Sequence, residues 1–202
     1  VIERYDIRNM RFLNNLIACY ADTTGKRTSA NSISKYMKSQ NENVSSNLIL
    51  LYRSFYSEAF LIDVVSRYDI HGKKIFESNE KIYWDDSGLR NLKASGGMDS
   101  YIEKVIENAV YKQLSYLGFD IKVGVLNAGE VDFVCTKSEQ TIYVQASYII
   151  AEDTTREREF GPLEKIRDNY PKYVISATPY LTQRNENGII HLSLRKFLTE
   201  GL

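Results

Sequence analysis

Two cysteines, two histidines and no surplus of charge leave this 202-residue chain with few of the usual markers of function. Cys19 and Cys135 lie far apart inside apolar runs, so they read as buried free thiols and not as a disulfide framework. His71 and His191 have no His, Cys or carboxylate at ligand spacing, so each reads as structural or exposed. The 26 Lys and Arg balance 26 Asp and Glu, which removes any global field that would draw in nucleic acid or an anionic membrane. A nucleic-acid site must then be a local patch. No run is long and apolar enough to span a bilayer. No signal peptide opens the chain, so a cytoplasmic location and no membrane partner are expected. Thr24-Gly25-Lys26 is not a phosphate loop, because Tyr20 and Arg27 stand where glycine and Ser or Thr are needed. ATP is therefore not expected on this chain. Repeats and low-complexity segments are lacking. The chain opens on Val1 in a helical-looking stretch, and we expect it to be part of a longer protein.

What is present is a hydrophobic fraction of 43 %, enough for a real core, and 15 tyrosines, most of them at core-facing positions. Residues 8–21 place Met10, Leu13, Ile17 and Tyr20 on one helical face. Ser29 or Asn31 starts a short second helix with Ile33, Tyr36 and Met37. Ser45 or Ser46 caps a third, expected to turn Leu48, Leu51, Tyr52 and Phe55 inward. Residues 60–70 and 73–86 are rich in β-branched and aromatic residues and flank His71-Gly72, so they read as a hairpin. Three helices and a hairpin are the order of a winged helix-turn-helix, expected over 1–92. Residues 93–100, with Gly96-Gly97, read as a linker.

From 101 to 202 the pattern changes. A helix over 101–117 stops at Gly118. Strands are expected at 119–126, 130–136 and 141–150. Thr154 and Glu157 fit a capping box for a helix carrying Phe160, Leu163 and Ile166, with a kink or restart at Gly161-Pro162. Two more strands (KYVISATP and GIIHLSL) and a short helix from Lys196 complete an α/β sandwich with a mixed sheet.

Two groups of residues carry possible chemistry. Asp132 lies on one strand and Gln145 and Ser147 share a face of the next. Magnesium commonly takes one or two carboxylates. A helical Glu, here Glu107, would complete such a site. Gln145 offers an amide oxygen but no charge, and Ser147 offers no cation to stabilise a phosphate in reaction. The bland alternative is a hydrogen-bonded polar pair. In the first half, Ser45, Ser46, Asn47 and Arg53 sit where a recognition helix meets DNA, and Lys73 and Lys74 at the tip of the wing. An ordinary solvated surface or a protein adaptor is the other reading.

Four stretches together carry a family resemblance: KIYWDDSGLRN (81–91), IENAVYKQLSYLGFDI (106–121), GEVDFVCTKSEQTIYVQASYII (129–150) and TREREFGPLEKIRDNYPKYVIS (155–176). They resemble the C-terminal region, classed as domain of unknown function 4143, of a large prokaryotic family of AAA+-type P-loop ATPases. The resemblance implies an N-terminal ATPase domain holding ATP and Mg outside this chain, then a winged helix, then a restriction-endonuclease-like PD-(D/E)XK domain. It matches Glu107, Asp132 and Gln145 to the acidic and amide positions of that nuclease-like core, with Ser147 departing from the nuclease lysine. The expected function is a non-catalytic accessory region that binds double-stranded DNA or a protein partner. The alternatives are a Mg-dependent DNA nuclease using Glu107 and Asp132, and a pure assembly module.

Overall fold

The computed structural model describes residues 2–5, 7, 9–96, 101–127, 129–181 and 183–202, and at Glu77 the backbone alone. The chain divides into two compact units, one of residues 1–65 and 77–101, the other of 66–76 and 102–202.

The first unit starts with α1 (Met10–Asp22), α2 (Ala30–Ser39) and α3 (Ser46–Glu58). Each begins at a polar cap: Asn9, Ser29 and Ser45 accept from the backbone N–H of Phe12, Ser32 and Leu48. The buried face of α3 is Ile49, Tyr52 and Tyr56, while Leu51 is 49 % exposed. Tyr52 is buried as expected and Leu48 and Phe55 pack half-buried against the same core, so of the four expected inward residues Leu51 faces out. The reason is the Tyr56 hydroxyl, which donates to Leu13 O at 2.6 Å and fixes the helix against α1. After α3 come β1 (Ile62–Asp69), β2 (Lys74–Trp84) and α4 (Ser87–Lys93). Thr28 N donates to Glu80 O at 2.9 Å, which ties the α1–α2 connection to β2. The short α4, not foreseen in the sequence, explains the KIYWDDSGLRN run. Asp86 caps it, and buried Arg90 donates from Nε to Ala21 O at 3.0 Å and lies 4.5 Å from the Tyr101 ring centre. Of the expected linker, Ser95 is bound to the Asp22 carboxylate at 2.8 Å, and Gly97, Met98, Asp99 and Ser100 lie outside the described residues.

The second unit holds α5 (Ile102–Tyr116), β3 (Asp120–Leu126), β4 (Gly129–Lys137), β5 (Gln140–Ser147), α6 (Asp153–Glu164), β6 (Lys172–Ser176), β7 (Arg184–Glu186), β8 (Ile189–Ser193) and α7 (Leu194–Glu200). Strand order across the mixed sheet is β2-β1-β3-β4-β5-β6-β8-β7. The tip of the hairpin, residues 66–76, belongs to this unit. Arg67, Tyr68 and Asp69 pair in parallel with Val123, Gly124 and Val125. The expectation that the whole hairpin forms part of an N-terminal module over 1–92 is corrected here, because its edge is taken up by β3.

Gly118 ends α5 at φ 83°, with Phe119 N donating to Leu114 O at 3.2 Å and Gly118 N to Ser115 O at 2.9 Å. The expected capping box fails. α6 starts two residues before it was to be capped, at Glu152, with no side-chain cap, and Thr154 lies inside the first turn. Helix α6 also runs through Gly161-Pro162 to Glu164 without restarting. The Tyr111 ring of α5 meets Phe133, whereas Phe160 and Leu163 of α6 cluster with Val134, Tyr143 and Val174. Phe133 and Val134 are adjacent and point oppositely, so α5 and α6 cover opposite faces of the sheet. Burial pushes the Cys19 thiol up to about 11 and raises Cys135 as well, as unreactive core thiols require.

Gly124 is required by close packing. A Cβ there would lie 2.8 Å from Val134 Cγ2 and 2.9 Å from Ile70 Cδ1. Gly124→Val is expected to lower stability by about 1–3 kcal/mol. Gly161→Ala, whose Cβ meets nothing within 4 Å, should be neutral or slightly stabilising. Urea unfolding of both variants checks this, and equal effects would contradict the packing argument.

Candidate functional site

The ladder between β4 and β5 runs from Lys137↔Gln140 to Phe133↔Val144 and stops there. Beyond that point β5 pairs with β6 on its other side, Gln145↔Val174 to Ser147↔Ser176. Side chains take over where the backbone ladder ends. Asp132 N donates to Gln145 Oε1 at 3.1 Å, and Ala146 N donates to Asp132 Oδ2 at 3.1 Å. The Gln145 amide then donates from Nε2 to Glu159 Oε2 at 2.9 Å. Asp132 and Gln145 are therefore brought together as expected for consecutive strands, and a third member joins them from α6.

Glu159 was not singled out in the sequence. It is only 4 % exposed. Its second oxygen accepts from Arg158 Nε at 2.8 Å, and Arg158 also approaches Glu103 of α5 at 3.7 Å. Burial raises the Glu159 carboxyl above its ordinary range. The hydrogen bonds from Gln145 and Arg158 oppose that rise, and the charge of Asp132 adds to it. The signal available in the sequence was spacing: Glu159 lies four residues before Leu163, on the inward stripe of α6.

Glu107 is half-buried on α5, the helix that covers the Phe133 face. Among the described residues, no three His, Cys, Asp or Glu side chains are grouped so as to hold a metal ion. Ser147 is buried. Beside it, Ser176 Oγ lies 2.9 Å from His191 Nε2 and 2.8 Å from Thr178 Oγ1. Burial holds the His191 imidazole below its usual range, and its ring packs edge-on against Phe160. With Ser176 fully buried, this chain of hydrogen bonds joins β6 to β8 and has no open nucleophile.

The DNA-binding candidates are scattered. Ser45 serves as the cap of α3, and Ser46 donates to Asn31 Oδ1 at 2.6 Å. Asn47 is exposed. Arg53 is ion-paired with Glu80 of β2, both side chains mostly covered. Lys73 and Lys74 are exposed at the hairpin turn, within the second unit. Among the described residues no helix is long and apolar enough to cross a membrane.

Two relatives match most of the chain. An uncharacterized protein of Haemophilus influenzae is 31 % identical over 189 residues, covering 94 % of this chain and 46 % of the relative. An uncharacterized protein of Methanocaldococcus jannaschii is 27 % identical over 169 residues, covering 82 % of this chain and 37 % of the relative. The chain spans less than half the length of either. No family model and no solved structure matches it.

The raised carboxyl of Glu159 has a consequence with a definite sign. An acid whose folded-state value lies above its unfolded one binds its proton more readily when folded. Its contribution is then most favourable below about 4.5, the ordinary value, and declines as pH rises through the folded value. Glu159→Gln should remove that decline. Urea midpoints of the two proteins, compared from acid to neutral pH, should converge or cross in the variant's favour as pH rises. A difference independent of pH would contradict the assignment.

Proposed function

We propose that this chain is a non-catalytic accessory region of a larger prokaryotic AAA+-type ATPase, and that it works by contact with a partner and not by cleavage. The observation that carries this reading is the commitment of both carboxylates at the end of β4 and β5. Asp132 Oδ2 accepts from Ala146, and Glu159 accepts from Gln145 and Arg158. These bonds compete with a metal for the two carboxylates, and at 145 a metal would find an amide where a nuclease has a carboxylate. The relatives, more than twice as long as the part matched here, leave room for a motor domain elsewhere in such proteins. Under this reading α1, α2, α3 and the hairpin form a winged helix, supported by their order and by the Thr28–Glu80 bridge. The second unit is then a restriction-endonuclease-like domain without its chemistry.

Of the two kinds of partner, a protein suits α3 better than duplex DNA does. Its exposed positions include Asn47, Leu50, Leu51, Ser54 and Glu58. Leu50 and Leu51 are 41 % and 49 % exposed, and the helix's one cation, Arg53, is held by Glu80. Phosphate recognition depends on free Lys and Arg. The hairpin is likewise poorly suited to serve as a free wing, since its tip pairs with β3.

With plasmid DNA and magnesium or manganese, the protein should show no cleavage above background, and Asp132→Ala should behave the same. Metal-dependent cleavage that disappears in Asp132→Ala would establish the nuclease alternative instead.

Arg53→Ala separates the two partner readings. We expect it to cost roughly 1–3 kcal/mol of stability, because Glu80 loses a charged hydrogen-bond partner. It should leave any duplex affinity and its salt slope unchanged. A slope reduced by about one unit would place a phosphate at Arg53 and restore the recognition-helix reading.

A further inference from the structure

On the face of the second unit's sheet that carries Val134 and Tyr143, an open cavity of about 760 Å³ lies beyond the end of α6. Its floor follows the registers Lys122↔Val134↔Tyr143 and Thr136↔Thr141 across β3, β4 and β5. Tyr68, Ile70, Lys73 and Ile75 form one wall, from the hairpin tip, and Asp168, Asn169 and Tyr170 form the other. That volume lies in the range of ligand clefts, about 300–1,000 Å³.

The second wall is held in place from beneath. Lys172 donates to Asp168 O at 2.8 Å, to Asp168 Oδ1 at 3.1 Å and to Tyr170 O at 3.2 Å. The Tyr143 hydroxyl donates to Asp168 Oδ2 at 2.6 Å. The one carboxylate of the wall is thereby neutralised by Lys172. Lys73 stands exposed at the opposite rim. Lys122 is mostly covered and is paired with Asp120, but that carboxylate is mostly exposed, unlike the covered Glu80 that holds Arg53, so the pair is the more readily exchanged of the two. Aromatic faces are available as well as charge. Tyr170 is 47 % exposed, its ring centre 6.4 Å from that of the buried Tyr143, and Tyr68 is half-buried across the groove.

We infer that this groove binds single-stranded nucleic acid, with bases against Tyr170 and Tyr68 and phosphates at Lys73 and Lys122. Tyrosine faces on a sheet floor beside lysines suit a strand whose bases are unstacked, because every base offers a π-face to a ring and every linkage a charge to an ammonium. A duplex offers the charges but keeps its base faces covered. Thr136, Thr141 and Asn169 add hydrogen-bonding groups that do not discriminate strongly among bases. The inference goes beyond the accessory reading and does not depend on α3. It gives Lys73 a role at a groove of the second unit in place of a wing.

The test is fluorescence anisotropy with a labelled oligothymidine of about 15 nucleotides, long enough to fill one such groove. Competition by the matching duplex and by heparin gives the two control arms. The protein should bind the single strand at low salt, and the duplex and heparin should compete poorly. Tyr170→Ala should weaken binding about tenfold. Lys73→Ala should reduce the log–log salt slope by about 0.7. Both changes are at exposed residues, and unchanged thermal melting confirms that the fold is intact. Absence of single-strand binding, equal affinity for the duplex, or a Tyr170→Ala protein that binds as the parent does would each overturn the inference. Binding accompanied by cleavage would support the groove and overturn the non-catalytic reading, so the two fail separately.

Discussion

The sheet of the second unit parts between β4 and β5 beyond Phe133 and Val144, and much else follows from how that gap is closed. A strand that loses one of its two neighbours along its length exposes backbone groups on that side, which must find partners when buried. Here the partners are side chains. Gln145 accepts from the backbone of Asp132, Asp132 accepts from the backbone of Ala146, and Gln145 donates onward to Glu159. Strands β4 and β5 and helix α6 are thus tied at one point. In open α/β sheets, a place where strands part is also where ligands commonly bind. In this protein that place is filled by its own polar groups.

The choice of glutamine at 145 follows from the same geometry. Its side chain must accept from one neighbour and donate to another, and an amide does both. A glutamate would turn an acceptor toward the Glu159 carboxylate and add a second charge to a buried site already close to Asp132. Buried like charges are costly, and one of them would take up a proton. The buried carboxylate beside Gln145 is therefore Glu159 on α6, with Arg158 compensating it from the solvent side. Gln145 and the buried carboxylate form one arrangement.

Most of the order of elements was legible because it rests on local periodicity, while α4 and β7 were not foreseen. The helices with Leu13, Ile17 and Tyr20 or with Ile106, Val110 and Leu114 show their inward stripes directly, and Gly118 marks its turn. What was illegible depends on long-range partners. Leu51 and Ile49 are both apolar, and only the reach of Tyr56 to Leu13 decides which faces inward. The hairpin was visible as alternating strands, but nothing within residues 60–86 announces that Tyr68 will pair with Gly124. In the candidate site, Asp132 and Gln145 were recognisable from consecutive strands. Glu159 was hidden because a charged residue on an amphipathic helix is ordinarily exposed, and its burial is decided by the gap in the sheet that it fills.

Two of the cations point the same way. Arg53 and Lys73 look equivalent in sequence, each a basic residue near a turn or helix where a winged helix would meet DNA. Their surroundings separate them. Arg53 is held by Glu80, so it contributes to the first unit's stability and has little charge to offer a ligand. Lys73, at φ 50° in the hairpin turn, extends toward a groove whose opposite wall carries Tyr170. A charge already satisfied inside the protein is a poor recognition element, because a ligand must replace a contact as well as make one. For a polyanion the energetics favour the hairpin turn over α3, and the pairing of β1 with β3 is what sets that turn beside the groove.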